Sequence, residues 1–362
     1  MRWSWKVGRV AGIELRVHAT FLLLLAWAAL TYYRLGGTTG AAVRGGVVFT
    51  LALFASVVLH ELGHAVAARR FGVPTRDITL LPIGGVARLA YIPRQPRQEL
   101  VIALAGPLVT LLIVLALYGI GLGFSLPNGT IDAALGARGG FVGQLMWANV
   151  FLLVFNLMPA FPMDGGRVLR AALALHGDYA KATNAAARAG RAFALVFGLV
   201  GLLYNPFLVL IALFIWLGAA GEAADERLHS SLDGVPVEQL MIRDVQTLTP
   251  RDTLGVALRH VLAGFQHDFP VIDNGNLVGI LTRDALVKAL ARHGENVLVD
   301  EVMDRGFRTA APGEFVEGAL ARLRDSDCRT IPVMADHRLQ GVLTLDNIGE
   351  FVMINSALHG AM

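Results

Sequence analysis

Apolar residues are unevenly distributed along this chain. Up to about Gly221 they form long runs, broken by short segments that carry arginine. Beyond that point they mix with polar residues as in an ordinary soluble domain. Six runs read as spans: about Thr20 to Tyr33, Gly45 to Ala68, Glu99 to about Phe124, about Phe141 to Phe161, about Arg191 to Tyr204, and Pro206 to Ala220. The last two form a tight pair turned at Asn205-Pro206. Only the second, third and sixth are long enough by themselves for a hydrocarbon core of about 30 Å, so the other boundaries are soft. The pattern predicts an α-helical polytopic membrane protein, with about six transmembrane helices in residues 1–221. A linker over 222–235 leads to two α/β units, 236–292 and 293–362.

Composition agrees with that division. Of 362 residues, 55% are hydrophobic and 16% charged, against about 25% charged in a typical soluble protein. The net charge of +3 is too small to suggest nucleic-acid binding. The single cysteine, Cys328, excludes an internal disulfide and fits a reducing compartment for the soluble half. Arg2, Lys6, Arg9 and Arg16 precede the first run without a clear small-residue cleavage site, so that run is expected to be a retained span. Trp3 and Trp5 read as interfacial anchors.

Arginine placement sets the expected orientation. The segment after the second span carries Arg69, Arg70, Arg76, Arg88, Arg94 and Arg97, and the segment after the fourth carries Arg167, Arg170, Lys181, Arg188 and Arg191. The opposite loops hold only Arg34, Arg44 and Arg138. The positive-inside rule then places the protein in the cell membrane as a multi-pass chain, with its N-terminus and soluble C-terminal part in the cytoplasm. Between the second and third spans, Ile78 to Ile92 reads as two short apolar strands broken at Pro82 and Gly84-Gly85. This could be a hairpin dipping into the interface or a connector that does no work.

The chemistry lies inside the second run. His60-Glu61-Leu62-Gly63-His64 follows the lipid-compatible stretch Phe49 to Leu59. On a helix, this HExxH spacing puts two imidazoles one turn apart on one face, with a carboxylate beside them. It suits zinc held by both histidines, with Glu61 poised to act on water. Ionisable groups at membrane depth are costly and usually functional. A third ligand is needed, and Asp164 in Asn156-Leu-Met-Pro-Ala-Phe-Pro-Met-Asp-Gly-Gly-Arg167 is the candidate, because the second and fourth spans run in the same direction and bring it to the depth of the histidines. Pro159 and Pro162 break the helix there, and Gly165 and Gly166 allow close backbone approach. Taken singly, each feature has a plainer explanation: a chance HExxH, an Asp164 paired with Arg167, an Asn156 bonding another span.

Together the motifs resemble the site-2 protease family of intramembrane zinc metalloproteases. The resemblance is carried by HELGH at 60–64, PIGGVA at 82–87, AGP at 105–107 and NLMPAFPMDGGR at 156–167, in the family's order over roughly residues 1–220. It implies a site-2 protease core with one Zn2+ on His60, His64 and Asp164, Glu61 as general base, and Asn156 close by as an aid to holding the scissile strand or oxyanion. Gly84 and Gly85 match the hairpin beside the substrate path. The implied substrate is a transmembrane or membrane-associated protein in the lipid bilayer, held extended against an edge strand at Ile78–Leu81 or Val86–Leu89. Thr110 stands where the resemblance leads one to expect Asn, which puts a polar contact between helices in doubt.

Residues 236–356 contain a duplication. Met241 and Met303, Pro250 and Pro312, Pro270 and Pro332, Gly279 and Gly341, and Asp284 and Asp346 all match at an offset of 62. The tandem resembles a pair of cystathionine-β-synthase (CBS) motifs, which bind adenosine nucleotides. That implies Thr282 with Asp284, and Thr344 with Asp346, as contacts to phosphate and ribose of a regulatory ATP or AMP. A strand-to-helix junction suits phosphate, although each Asp could merely cap its helix. CBS pairs often associate, so a homo-oligomer through this domain is a further expectation. The remaining histidines show no ligand spacing. Two alternatives stay open on sequence: a CBS-regulated transporter or channel, and a metal-binding scaffold without proteolytic activity.

Overall fold

The chain begins with a hairpin of β1 (Ser4–Val10) and β2 (Ile13–His18). Ala11 and Gly12 form its turn, both at positive φ (52° and 82°), the geometry that matches the twist of paired strands. Sequence reading treats this segment only as a flank, because charged residues interrupt its alternation. Helix α1 (Ala19–Arg34) follows, and then the 30-residue α2 (Ala41–Arg70). Helix α2 stops at Gly72, whose φ of 75° turns the amides of Phe71, Gly72 and Val73 back onto the carbonyls of Ala68 and Arg69. The computed structural model describes residues 3–34, 40–82, 84–89, 94–125, 140–264, 266–324, 326 and 328–359. Ile83, residues 90–92 and Arg138, all used in the sequence reading, lie outside these. The chain divides into two compact units, Met1–Ala224 and Asp225–Met362.

Strands β3 (Thr75–Leu81) and β4 (Gly84–Leu89) complete a four-stranded sheet in the order β1-β2-β3-β4. Strands β2 and β3 run parallel and the other neighbours antiparallel. Both sides of β3 are therefore hydrogen-bonded, so Ile78–Leu81 is not an edge. The edge is β4.

Among the described residues, the remaining helices that begin in the first unit are α3 (Pro96–Ser125), α4 (Gly140–Asn156), α5 (Asp164–Ala174), α6 (Tyr179–Tyr204) and α7 (Pro206–Leu232). Among the described residues, four stretches are long and apolar enough to cross a membrane: Arg44–Arg70, Pro96–Gly121, Tyr179–Tyr204 and Pro206–Leu232. The first and fourth expected spans are shorter, at 16 and 17 residues, or about 25 Å of helix. The fifth is longer than expected. It begins at Tyr179, where Asp178 accepts a hydrogen bond from the Lys181 amide, so Lys181, Arg188 and Arg191 lie on a helix and not in a loop. Helix α7 likewise runs through most of the expected linker, since residues 222–232 are rich in helix formers and the first breaker is Gly234 at φ 71°.

Helices α2 and α3 meet through small residues. A β-carbon on Gly63 would lie 2.8 Å from the Ala105 carbonyl and 2.9 Å from Val109, so HELGH needs its glycine for this approach. Between α4 and α5 the chain folds back sharply. Side chains on Gly165 or Gly166 would collide with the backbone of Leu157, Met158, Ala160 and Phe161, so the glycine pair lets this turn sit on the start of α5.

In the second unit, α8 (Val237–Leu240) precedes two equivalent modules. The first is α9 (Leu254–Ala263), β5 (Phe269–Asp273), β6 (Asn276–Leu281) and α10 (Arg283–His293). The second is α11 (Val316–Arg324), β7 (Thr330–Ala335), β8 (Arg338–Thr344) and α12 (Leu345–His359). Each module completes its sheet with the other's leading segment: Ile242 pairs antiparallel with Val342, and Asp304 with Ile280. The glycines follow the same exchange. Gly279 packs on Met303, and Gly341 on Ile242 and Met241, with no room for a side chain at either. Asp268 and Thr330, at equivalent positions 62 residues apart, hydrogen-bond each other at 2.8 Å. The duplication is thus a pseudo-twofold unit in which neither copy completes its sheet alone.

Candidate metal centre

Three side chains from two distant helices converge inside the first unit. His60 and His64 project from one face of α2, and Asp164 opens α5 in its first turn, where a carboxylate is favoured. His60 Nε2 lies 3.0 Å from Asp164 Oδ2, His64 Nε2 lies 3.1 Å from the same oxygen, and the two Nε2 atoms are 3.1 Å apart. All three residues are buried, at 4%, 6% and 8% exposure.

Their partners decide what those atoms can do. His64 Nδ1 is 2.7 Å from the Ile102 carbonyl, which can only accept, so Nδ1 carries the proton and Nε2 presents a lone pair. His60 Nδ1 is 2.8 Å from Thr110 Oγ1. The Thr110 hydroxyl can donate to the Gly106 carbonyl at 3.4 Å, which leaves its oxygen to accept from His60. Both imidazoles can then aim an unprotonated Nε2 at a carboxylate, an arrangement of acceptors that suits a cation. Glycine is required beside them: a β-carbon on Gly106 would overlap His64 Nε2 and lie 2.8 Å from His60 Nε2. Two imidazole nitrogens and one carboxylate oxygen suit zinc, with a fourth position left for water or substrate. Among the described residues this is the one cluster of three such groups able to hold a metal ion.

Glu61 lies beside the triad and faces β4. Its Oε2 accepts from the Ala87 amide at 3.3 Å, and a β-carbon on Gly85 would come within 2.8 Å of Glu61 Cγ. Gly85 is therefore the residue that lets β4 reach the carboxylate. Peptide groups alternate in direction along an antiparallel strand. Since the Ala87 amide turns to Glu61 and not to β3, Gly85 presents its peptide groups to the same open edge.

Asn156 ends α4 half-buried, and its side chain makes no hydrogen bond among the described residues. Arg167 does not pair with Asp164; its Nε is buried without a hydrogen-bond partner. Sequence reading singled out Thr110 and the AGP motif without placing either at the site, and it missed the Ile102 carbonyl. The available signal was the AGP motif one helical turn before Thr110. The threonine in fact supplies a polar contact between α2 and α3.

The sequence-predicted CBS residues sit at corresponding junctions. Thr282 accepts from the Ala285 amide and Thr344 from the Asn347 amide, each at 3.2 Å. The threonines, not the aspartates, cap the helices. Asp284 and Asp346 are exposed in the first helical turns.

Comparison with known proteins agrees with both halves. The Peptidase family M50 pattern matches residues 48–134 and 130–197, and the CBS domain pattern matches 237–292 and 299–353. A zinc metalloprotease of Methanocaldococcus jannaschii is 35% identical over 286 residues, 78% of each chain. The Rip3 protein of Mycobacterium tuberculosis is 31% identical over 380 residues, covering 97% of this chain and 93% of that one. Among solved structures, the site-2 protease from M. jannaschii is 38% identical and covers 61% of this chain and 95% of its own, with a TM-score of 0.45. The chain belongs to Peptidase family M50: it is a membrane zinc metalloprotease of the site-2 protease kind, with a CBS pair after its helical core.

Proposed function

We propose that this enzyme cleaves transmembrane or membrane-associated proteins within the bilayer, in the manner of regulated intramembrane proteolysis. In this reading His60, His64 and Asp164 hold one zinc ion, and Glu61 is the general base. The convergence of two Nε2 lone pairs and one carboxylate oxygen within about 3 Å of one another, next to Glu61, carries the reading. When bound, zinc acts as a Lewis acid that acidifies water and polarises a carbonyl. Glu61 takes the proton as water oxygen attacks the peptide carbon, and returns a proton to the leaving nitrogen as the C–N bond breaks. The open edge of β4 accepts an extended stretch of substrate by strand addition, through Gly85 and the residues beyond it. This places the scissile bond next to Glu61, with Gly84 and Gly85 along the path. The unengaged Asn156 amide serves to hold that strand or the developing oxyanion.

Glu61→Gln keeps the side chain's shape and removes the base. Cleavage of a co-expressed transmembrane substrate is expected to fall by about 10²–10⁴-fold; undiminished cleavage overturns the assignment.

The proposed orientation has the N-terminus and the CBS unit in the cytoplasm. The arginines after α2 support it, and the β2–β3 pairing holds the N-terminal hairpin and the segment after α2 in one sheet. For the CBS pair the proposed ligand is an adenine nucleotide at Thr282 with Asp284 and Thr344 with Asp346, modulating cleavage. Nucleotide-dependent cleavage that persists unchanged in the Asp284→Ala/Asp346→Ala chain would exclude these residues. Association of copies through the CBS unit belongs to the same proposal.

A further inference from the structure

Arg170 makes several charged and aromatic contacts within the membrane unit, and the chemistry above does not use it. It lies on α5, six residues beyond Asp164, and is 3% exposed. Its Nε donates to Glu99 Oε1 at 2.8 Å, and Nη1 donates to Glu222 Oε2 at 2.8 Å. Nη2 lies against the same Glu99 oxygen as an ion-pair contact without hydrogen-bond geometry. Tyr179 donates its hydroxyl to the other Glu99 oxygen at 2.9 Å. The guanidinium also stacks over the rings of Phe161, at 4.9 Å, and Tyr179, at 5.2 Å.

These contacts join the two halves of the metal centre. Both histidines, and the groups that orient them, belong to α2 and α3. The third ligand arrives separately, at the end of the turn from Leu157 to Met163. Arg170 grips that turn through Phe161, three residues before Asp164. It also grips α3 through Glu99, one helical turn before the Ile102 carbonyl that fixes His64. A buried ion pair gains little stability over well-packed apolar side chains of similar size, and charge at this depth is costly. Packing alone does not account for the pair; a planar guanidinium fork held at several points fixes geometry.

We propose that Arg170, through Glu99 and Phe161, is a positioning residue that sets α5 against α3 and so holds Asp164 at bonding distance from His60 and His64. The inference rests on the reading that these three residues hold zinc.

The test uses the full chain in detergent and measures zinc affinity by chelator competition, alongside thermal unfolding and cleavage. In the paired replacement Glu99→Leu/Arg170→Met the ion pair gives way to apolar side chains of similar size. It is expected to stay folded but to bind zinc about 10–100-fold more weakly, the usual cost of losing a group that orients a ligand. Cleavage is expected to recover as zinc is raised, a response that a merely structural role would not give. Arg170→Lys keeps the charge without the fork, and is expected to stay folded and bind zinc about 10-fold more weakly. It decides the question if the double variant does not fold. Wild-type zinc affinity in either folded variant overturns the inference. A wild-type chain whose zinc affinity is unaltered by Asp164→Ala would instead overturn the reading of the site beneath it.

Discussion

The hydroxyl of Thr110 lies 2.8 Å from Nδ1 of His60, so a residue on α3 fixes which nitrogen of an α2 histidine faces the metal position. Thr110→Val preserves the shape and removes the acceptor. Zinc affinity is expected to drop about 10–100-fold, with cleavage falling in step at limiting zinc. Thr110→Ser retains the oxygen and should restore most of the loss. Chelator competition on the two variants measures this directly; equal affinities for Val and Ser would remove the hydroxyl from the site.

The exchange of segments within the CBS pair gives a second expectation. A β-carbon on Gly341 would press into the Ile242 carbonyl and lie 3.4 Å from Met241 Cγ, so an added methyl has nowhere to go. Gly341→Ala is expected to destabilise the unit by about 1–3 kcal/mol, as overpacking usually does. The control Gly349→Ala meets nothing within 4 Å and should cost nothing by the same steric mechanism. Denaturant titration of the full chain, read by a probe in the CBS unit, separates the two.

Cys328 supplies a pH dependence with a defined sign. Burial pushes its thiol up to about 11, from 9.0, and the Asp268 carboxylate near its sulfur adds to the effect. At pH 8 its thiolate fraction is then about 100-fold below that of a thiol titrating at 9.0, and alkylation should be slower to match. The folded state keeps the proton that the unfolded state loses first. This contribution to stability is therefore intact below pH 9.0 and lost as the pH rises to about 11. Alkylation rate and unfolding midpoint across that range check both statements; Cys328 reacting at pH 8 as fast as a small free thiol would contradict them.

Much of this was legible from residue spacing. HExxH one turn apart and an aspartate after a proline-broken helix bring three candidate ligands together because helix periodicity and span direction fix face and depth. The 62-residue offset reappears as paired contacts such as Asp268 with Thr330. Other features were hidden for physical reasons. The β1–β2 hairpin carries Lys6, Arg9 and Arg16 among its apolar residues, which blurs a period of two. Its pairing partner β3 lies some sixty residues away, beyond the reach of local patterns. The N-terminal half of α6 is polar enough to read as a loop, and only the cap at Asp178 marks its start. Thr110 and Arg170 make contacts between helices remote in sequence, which no spacing rule reports. For Ile78–Leu81, strand character was evident, but its place inside the sheet depended on a partner that was not foreseen.

The most direct measurement is the zinc content of the purified full chain beside its His60→Ala, His64→Ala and Asp164→Ala variants. One zinc per wild-type chain is expected, with each variant losing it while remaining folded. Full zinc retained by the folded Asp164→Ala protein would contradict a centre built from these three side chains.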